Sequence, residues 1–305
     1  MGGLAVRESI ALCQQMRDSI NKEIATRTEF HRARIARLKA VRASLTKAGA
    51  PPVAKPLVML AHGDSWFDYP LAGNGLSLSD TDVIAQLRGL GNINPIIMNV
   101  SHHGDASTAE MSRPKQQRMI NSLYDAASWM ESGKPDAILF SGGGNDIAGD
   151  QFCIFLNYAT QGASGLNSVR FEEALGAVEA SYGDLFAFRD RFAQQVPVFG
   201  HCYDFPIPNG SHPDCVGPWL KPSLDYCGWN DVAQGTAILR EALVRFRSLL
   251  LRLQSDPSNI FTMVDTQGLL TSADWANELH PCPNGFRTIA DGFVEELRKR
   301  FPGRI

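Results

Sequence analysis

Five short apolar runs alternate with longer amphipathic segments after residue 56. The runs are LVMLA from residue 57, INPIIMNV from 93, DAILFSGG from 136, VPVFGH from 196 and IFTMVD from 260. Their length and composition are typical of buried strands, and apolar residues recur between them at helical spacing, as from Phe171 to Phe192 and from Val232 to Leu253. Because strands that alternate with helices pair in parallel, the pattern predicts a three-layer α/β/α fold with a doubly wound parallel sheet of about five strands.

The N-terminal segment has a different pattern. From Leu4 to Lys47 there is no proline or glycine, and apolar residues recur at roughly helical spacing, which predicts one long helix or a broken pair. The proline-rich stretch GAPPVAKP at 49–56 breaks any helix and reads as a linker. The sequence therefore predicts a helical N-terminal extension at 1–50 and an α/β domain at 51–305.

The N-terminal extension is basic, with ten Lys or Arg against four Asp or Glu. A solvated face explains these charges better than a binding arm. The apolar stripe thins between Ile24 and Ile35, so a regular coiled coil is not expected. We expect the helix to dock on the main domain or on a second subunit, and a homo-oligomer through residues 1–50 stays open.

The composition excludes several classes of function. A net charge of -3 gives no overall attraction to nucleic acid, and no stretch approaches the roughly 18 apolar residues of a membrane span. The N-terminal segment lacks the apolar core of a signal peptide, so the sequence predicts a cytoplasmic protein with neither nucleic-acid nor integral membrane contacts. The six cysteines lack CxxC spacing, which argues against a zinc site and favours free thiols.

Polar and glycine-rich segments follow four of the predicted strands. These are GDSW, SHHGDAS, SGGGNDIAG and HCYDFPIPNG, and a further segment, NELHPCPNGF, precedes the last predicted helix. Ligands of doubly wound sheets bind at the carboxyl ends of the strands. The chemistry of the protein is therefore expected in these segments.

The segments resemble the four short sequence blocks of the SGNH hydrolases, also called GDSL-type esterases and lipases. The matching residues, in chain order, are Ser65 in GDS, Gly104 in SHHGDAS, Asn145 in GGND and His280 in HP. Each block is common by itself, but four in order at strand ends are fairly specific. The resemblance covers roughly residues 57–301 and implies a flavodoxin-like fold and a serine esterase.

The resemblance also implies a role for each residue. Ser65 would be the nucleophile and His280 its base, because a serine hydroxyl is a poor nucleophile until a neighbouring base removes its proton. The backbone N–H groups of Ser65 and Gly104 and the amide of Asn145 would form the oxyanion hole. Singly, Ser65 could be a helix cap and His280 a structural histidine; together they favour catalysis.

The expected reaction is hydrolysis of a lipid, sugar or small-molecule ester through an acyl-enzyme intermediate, without a cofactor. Two alternatives stay open. The same residues would support acyl transfer to another hydroxyl group, and a catalytically weak scaffold could assemble through residues 1–50.

One position departs from the family pattern. The block that usually reads Asp, two residues, His reads NELH here, so Asn277 stands three residues before His280. An amide oxygen can accept the histidine Nδ1–H and fix its tautomer, but it cannot stabilise the imidazolium by charge. Asn277 is therefore expected to orient His280. Asp274 and Glu278 are the alternative third members, although each is also explained as a cap or a brace.

Aromatic residues gather in the loop-rich segment 202–229, and others lie beside the nucleophile. Trp66, Tyr203, Phe205 and Trp219 are the candidates for a substrate pocket, and packing of the loop onto the domain explains the segment equally well.

Neither a metal nor a dinucleotide is expected to bind. His102, His103 and Asp105 could suggest metal ligands, but adjacent residues on an extended segment point to opposite sides. The GGGN sequence does not match GxGxxG. Asp64 and Asp146 are expected to brace their turns by hydrogen bonds.

Overall fold

The computed structural model describes residues 2–51, 54–69, 82–160, 162–211 and 217–305, and in helix α1 the side chains of residues 14, 15 and 18 onward. Its centre is a parallel sheet of five strands in the order β2-β1-β3-β4-β5. The strands are β1 (Val58–Gly63), β2 (Ile96–Asn99), β3 (Ala137–Ser141), β4 (Val198–His201) and β5 (Phe261–Val264). This is the flavodoxin-like order, so the fold class predicted from the sequence is confirmed.

Helices cover the sheet. They are α1 (Gly2–Lys47), α2 (Val83–Leu87), α3 (Ser107–Glu110), α4 (Arg113–Tyr124), α5 (Gly144–Ile147), α6 (Ser168–Phe192), α7 (Lys221–Tyr226), α8 (Val232–Ser255) and α9 (Pro283–Arg300). Short 3₁₀ segments occupy Ala126–Ser128, Asp150–Phe155, Pro257–Asn259 and Ser272–Asp274. Right-handed connections place α4, α6 and α8 on one face, and α2 lies on the other face against α9.

The central strands are apolar because both faces of the sheet are covered. Every residue of β1 and β3 is buried, and Leu60 of β1 lies in register with Met98 of β2 and Ile138 of β3. Large side chains from α6, α8 and α9 fill the two layers, among them Phe171, Phe246 and Phe293. The core therefore fixes the carboxyl ends of the strands relative to one another.

Helix α1 lies against the edge strand β2. Its side chains Ile24 and Ile35 are buried, and the Nε2–H of buried His31 donates to the Ser128 carbonyl over 2.7 Å. The helix therefore packs on the α/β domain of its own chain and covers one edge of the sheet. Within the described residues, no helix is both long enough and apolar enough to span a membrane.

The chain turns in opposite directions after β1 and after β3, which are neighbours in the sheet. The two strands meet closely where they end, since a Cβ on Gly63 would lie 2.6 Å from the Ser141 carbonyl oxygen. Only glycine permits this approach. The crevice above such a switch point is where doubly wound sheets bind ligands, and Ser65 and Asn145 follow these two strands.

Candidate active site

Ser65 lies in a tight turn directly after β1. The Asp64 carbonyl accepts hydrogen bonds from the N–H groups of Phe67 and Asp68, at 3.1 and 3.0 Å, which close the turn. Ser65 is buried, with 8% of the residue exposed, and its Oγ lies 2.8 Å from Nε2 of His280. These two residues are 215 positions apart, so the fold alone brings the serine and the histidine together.

His280 comes from the loop that precedes α9, and Asn277 holds it in place. Oδ1 of Asn277 accepts the backbone N–H groups of Leu279 and His280, at 3.0 and 2.9 Å, and lies 3.1 Å from Nδ1 of the imidazole. Because this oxygen already accepts two N–H groups, Nδ1 must carry the proton, which leaves Nε2 as the acceptor for the Ser65 hydroxyl. The contacts place Ser65, His280 and Asn277 in one hydrogen-bonded row.

Tyr69 fixes the other half of the Asn277 amide. The amide Nδ2 donates to the Tyr69 hydroxyl over 2.9 Å, and the tyrosine ring packs on the imidazole of His280 at a centroid distance of 4.7 Å. Tyr69 therefore supports the row from beside the nucleophile. Sequence reasoning missed it, although its place four residues after Ser65 in the same turn was a usable signal.

Neither alternative carboxylate faces the imidazole. Asp274 accepts the N–H and the hydroxyl of Thr271, at 2.8 and 2.7 Å, in a capping box, and the hydroxyl and then the N–H of Thr271 lower the pKa of its carboxyl. Glu278 is fully buried and accepts four backbone N–H groups, those of Gly210, Trp219, Leu220 and Lys221. Glu278 thus holds the loop that carries Trp219.

Burial lowers the pKa of His280 to about 3, with the neighbouring His103 charge as a second cause. The imidazole is therefore neutral over the whole working range of pH and ready to accept a proton. With an amide rather than a carboxylate on Nδ1, no negative charge offsets the cost of burying the imidazolium.

Donors for a developing oxyanion lie around Ser65. Gly104 adopts φ +76°, a conformation that suits glycine, and a Cβ there would meet nothing within 4 Å, so its backbone lies open to the cleft. Among the described residues, the N–H groups of Ser65 and Gly104 have no acceptor. The Asn145 Nδ2 donates one hydrogen to the Asp105 carbonyl over 2.8 Å, which leaves the second hydrogen of the amide for a ligand.

A buried polar network supports the turn from below. Asp64 accepts the Ser141 hydroxyl at 2.7 Å, the Tyr203 hydroxyl at 2.6 Å and the Trp66 N–H at 3.0 Å. Burial raises the pKa of Asp64 to about 6, although these three donors act to lower it. His201 lies on the other side of Ser141, with its Nε2 at 2.8 Å from the hydroxyl. Tyr203 thus anchors the nucleophile turn through its hydroxyl.

Two spaces open onto Ser65. The cleft has a volume of about 670 Å³ and is lined by residues that include Tyr69, His103, Gly104, Asn145, Trp219 and His280. The small pocket has a volume of about 40 Å³ and is lined by residues that include Trp66, Tyr203, Pro206, Leu243, Trp275 and Leu279. The site therefore joins one roomy space to one narrow space with apolar walls.

The four aromatic pocket candidates separate in the structure. Trp66 and Tyr203 line the small pocket, and Trp219 lines the cleft. Phe205 lines neither of these two spaces: the Arg240 guanidinium lies over its ring at 4.1 Å, and the ring packs on the core. Trp275, which no sequence pattern singled out, contacts Trp66 at a ring distance of 6.3 Å.

The two adjacent histidines also differ from expectation. Their rings stack at 4.2 Å instead of pointing to opposite sides, because the chain turns at Gly104 and is not extended. His102 lies 3.9 Å from Asp105, whose carboxylate also contacts Lys115. In the described part of the chain, no group of three or more His, Cys, Asp or Glu side chains could hold a metal ion.

The remaining predicted features have these places. Asp146 accepts the Ser107 N–H over 2.6 Å and so ties the loops after β2 and β3 together. The thiols of Cys153, Cys202, Cys227 and Cys282 are free. Cys215 lies outside the described residues, as does the side chain of Cys13.

No protein-family model matches the chain, and no curated protein matches it. Three of the solved structures that align with the chain are each 16% identical to it. A lipase from a goat rumen metagenome has a TM-score of 0.49 and covers 78% of this chain and 96% of its own. An extracellular lipase from Streptomyces rimosus has a TM-score of 0.47, and the alignment covers 80% of this chain and 99% of the lipase. An acetylxylan esterase from Geobacillus stearothermophilus has a TM-score of 0.36, and the alignment covers 80% of this chain and 95% of the esterase.

Proposed function

We propose that the protein is a serine hydrolase that cleaves carboxylic esters through an acyl-enzyme intermediate. One observation carries the proposal: the Ser65 hydroxyl lies 2.8 Å from the unprotonated Nε2 of His280, at the wall of an open cleft. A base within hydrogen-bond reach and oriented by a third residue is what activates a serine. Here Asn277 is that third residue.

The reaction would proceed in two halves. Ser65 Oγ attacks the ester carbonyl carbon while His280 Nε2 takes the hydroxyl proton, and the carbonyl oxygen becomes an oxyanion. The N–H groups of Ser65 and Gly104 and the free amide hydrogen of Asn145 are the donors for that oxyanion. The imidazolium then protonates the departing alcohol, which leaves the acyl group on Ser65.

The second half restores the enzyme. His280 removes a proton from a water molecule, and the resulting hydroxide equivalent attacks the acyl carbon. The tetrahedral species collapses, the carboxylic acid leaves, and the proton on His280 returns to Ser65 Oγ. No electron transfer is required in either half.

The two spaces beside Ser65 suggest how the ester is held. The small pocket has a volume of about 40 Å³, room for about three water-sized groups at roughly 10–15 Å³ each, so we assign it to a short acyl group. The cleft of about 670 Å³ is assigned to the alcohol. The favoured substrate is thus a short-chain ester of a bulky alcohol.

The test combines turnover with labelling of the nucleophile. The wild-type protein is expected to hydrolyse p-nitrophenyl acetate, and a fluorophosphonate is expected to add to one residue, Ser65, as read by peptide mass spectrometry. Ser65→Ala should abolish both the hydrolysis of p-nitrophenyl acetate and the labelling by the fluorophosphonate. Ser107→Ala is the matched control, since Ser107 is buried nearby and only its backbone N–H bonds to Asp146. A wild-type protein that neither turns over esters nor is labelled would refute the proposal.

A further inference from the structure

Arg27 of helix α1 contacts two loops of the active site at once. Its Nη1 donates to the Ser101 carbonyl over 3.3 Å, and its Nη2 donates to Asp68 Oδ1 over 2.7 Å. Nη2 also contacts Glu23, one turn earlier on the same helix. The Arg27 side chain is only 20% exposed, so the guanidinium is wedged between the helix and the two loops.

These two loops supply two of the oxyanion donors proposed above. Asp68 lies three residues after Ser65 in the turn that follows β1, and Ser101 lies three residues before Gly104 in the segment that follows β2. Both Ser65 and Gly104 line the cleft, and their N–H groups must stay aligned on one oxygen atom. The separation of the two loops therefore bears directly on the oxyanion hole.

A second link between the loops lies in the core. The Asn99 Nδ2 donates to the Phe67 carbonyl over 2.7 Å, and Asn99 Oδ1 accepts the Ser101 N–H at 3.1 Å. Asn99 is buried at the end of β2, whereas Arg27 comes from outside the sheet. The loops are thus tied from below by a residue of the α/β domain and from the side by a residue of the N-terminal helix.

The same carboxylate also faces the cleft. Asp68 Oδ2 lies 3.9 Å from Nδ1 of His103, whose half-exposed ring lines the cleft. Asp68 therefore stands between Arg27 on one oxygen and His103 on the other. Loss of the guanidinium would leave a largely buried carboxylate with a weaker partner, and such a group moves toward water or toward another cation.

Arg27 is charged at every working pH. Burial acts to lower its pKa, but the charges and hydrogen bonds of Asp68 and Glu23 outweigh it and raise the pKa above the ordinary value. A planar guanidinium can also donate to two acceptors in fixed directions, which an ammonium group cannot do. The bridge is therefore both permanent and directional.

We propose that Arg27 is a positioning residue that sets the distance between the two oxyanion-hole loops, and that helix α1 belongs to the active-site framework. The proposal rests on the function proposed above. It gives a role to the long basic helix that packs on β2 and reaches the loops after β1 and β2 through Arg27, which the resemblance to other hydrolases leaves unexplained.

The test compares Arg27→Ala with Arg32→Ala. Arg32 lies on the same helix and pairs with Asp125 at 2.6 Å, away from both loops, so its loss weakens docking of α1 without touching the site. Arg27→Ala is expected to lower kcat at least about tenfold with little change in KM, since misplaced donors act on the transition state. Arg32→Ala should keep the wild-type kcat. Arg27→Lys should recover part of kcat through the pair with Asp68.

Hydrogen exchange gives a readout that does not depend on ester turnover. Peptides that cover residues 64–69 and 100–104 should exchange faster in Arg27→Ala than in Arg32→Ala, at matched thermal stability. Equal kcat values or equal exchange in the two variants would overturn the proposal. If the wild-type protein proves inactive and unlabelled, the function proposed above fails, and the exchange comparison still decides whether Arg27 holds the loops.

Discussion

Within the residues that the structure describes, two serine–histidine pairs have the same separation. Ser65 Oγ lies 2.8 Å from Nε2 of His280, and Ser141 Oγ lies 2.8 Å from Nε2 of His201. Burial lowers the pKa of both histidines to about 3. By distance and by the neutral charge of the imidazole, the two pairs are indistinguishable.

The second ring nitrogen separates them. Nδ1 of His280 faces the Asn277 oxygen and must donate, whereas Nδ1 of His201 faces the Tyr203 N–H at 3.3 Å and must accept. His201 therefore carries its proton on Nε2 and donates a hydrogen bond to Ser141, whose hydroxyl in turn donates a hydrogen bond to Asp64. His280 has the opposite tautomer and can take a proton from Ser65.

The two serines also differ in their access to the cleft. Ser65 lines the cleft, whereas Ser141 is fully buried and its hydroxyl is enclosed by Asp64, His201 and Tyr203. A hydrogen bond between serine and histidine is thus compatible with either a reactive or a structural role. The group that the other nitrogen meets, together with access to a ligand, decides between them.

The largest expected difference comes from removing each pair in turn. His280→Ala should lower kcat/KM for p-nitrophenyl acetate by about 10⁴-fold or more, because the proton acceptor is lost. Ser141→Ala should leave kcat/KM close to wild type and lower the free energy of unfolding by about 1–3 kcal/mol, since buried His201 loses its acceptor. Steady-state kinetics and urea unfolding measure the two effects. The comparison fails if Ser141→Ala inactivates a folded protein or His280→Ala leaves it active.

Much of the fold could be predicted from the sequence because its signals are local. Each strand of the sheet is a short apolar run, and the residues that follow it are fixed by the chain itself. Ser65, Gly104 and Asn145 could therefore be placed at the carboxyl ends of neighbouring strands, and the structure brings them to one cleft. The spacing within NELH likewise pointed to Asn277, whose Oδ1 lies 3.1 Å from Nδ1 of His280 in the structure.

The rest of the site depends on contacts between distant segments. Ser141 and His201 are the last residues of β3 and β4, and they meet because these two strands are neighbours in the sheet. The sequence does show a polar residue at the end of each buried strand, but it does not show that the two strands are adjacent. Arg27 lies 74 positions before Ser101, and its contact depends on how α1 docks. The hydrophobic periodicity of the sequence gives no information about contacts between segments that lie far apart along the chain. The stacking of His102 on His103 was likewise hidden, because it depends on a turn conformation at Gly104.

The next test concerns the residue that selects the tautomer of His280. Asn277→Ala removes the oxygen that accepts Nδ1–H and two backbone N–H groups, so the imidazole can rotate or exchange tautomers. We expect kcat to fall by about 10–100-fold, far less than on loss of Ser65 or His280. Asp274→Ala and Glu278→Ala are the controls, with folding followed by circular dichroism. Either control losing as much kcat as His280→Ala would assign the third role to that carboxylate instead.

Two of the three tryptophans at the site, Trp275 and Trp219, test the proposed division of the acyl group and the alcohol between the two spaces. Trp275 lines the small pocket, and its replacement by alanine should raise kcat/KM for p-nitrophenyl octanoate relative to the acetate by about tenfold. Trp219 lines the cleft, so Trp219→Ala should change both rates together and leave their ratio unchanged. Rates measured across a series of acyl chain lengths decide the matter. An unchanged ratio in Trp275→Ala would remove the small pocket from acyl selection.

The smallest expected change in rate comes from Asn277→Asp, and its sign follows from charge. A carboxylate oxygen can still accept Nδ1–H, and the Tyr69 hydroxyl can turn to donate to the other oxygen. The added negative charge stabilises the imidazolium, so kcat should stay equal or rise by a few-fold. The same charge raises the pKa of His280 from about 3 toward its ordinary value. Since only the neutral imidazole is a base, the acidic limb of kcat/KM must move to higher pH in the variant.

Acetate release measured between pH 4 and 8 would show wild-type activity persisting to lower pH than that of Asn277→Asp. Asn121→Asp adds the same charge on exposed α4 and keeps its acceptor for Gln117, so its limb should coincide with wild type. Coincident limbs for all three proteins would mean that the amide of Asn277 does not set the proton affinity of the base.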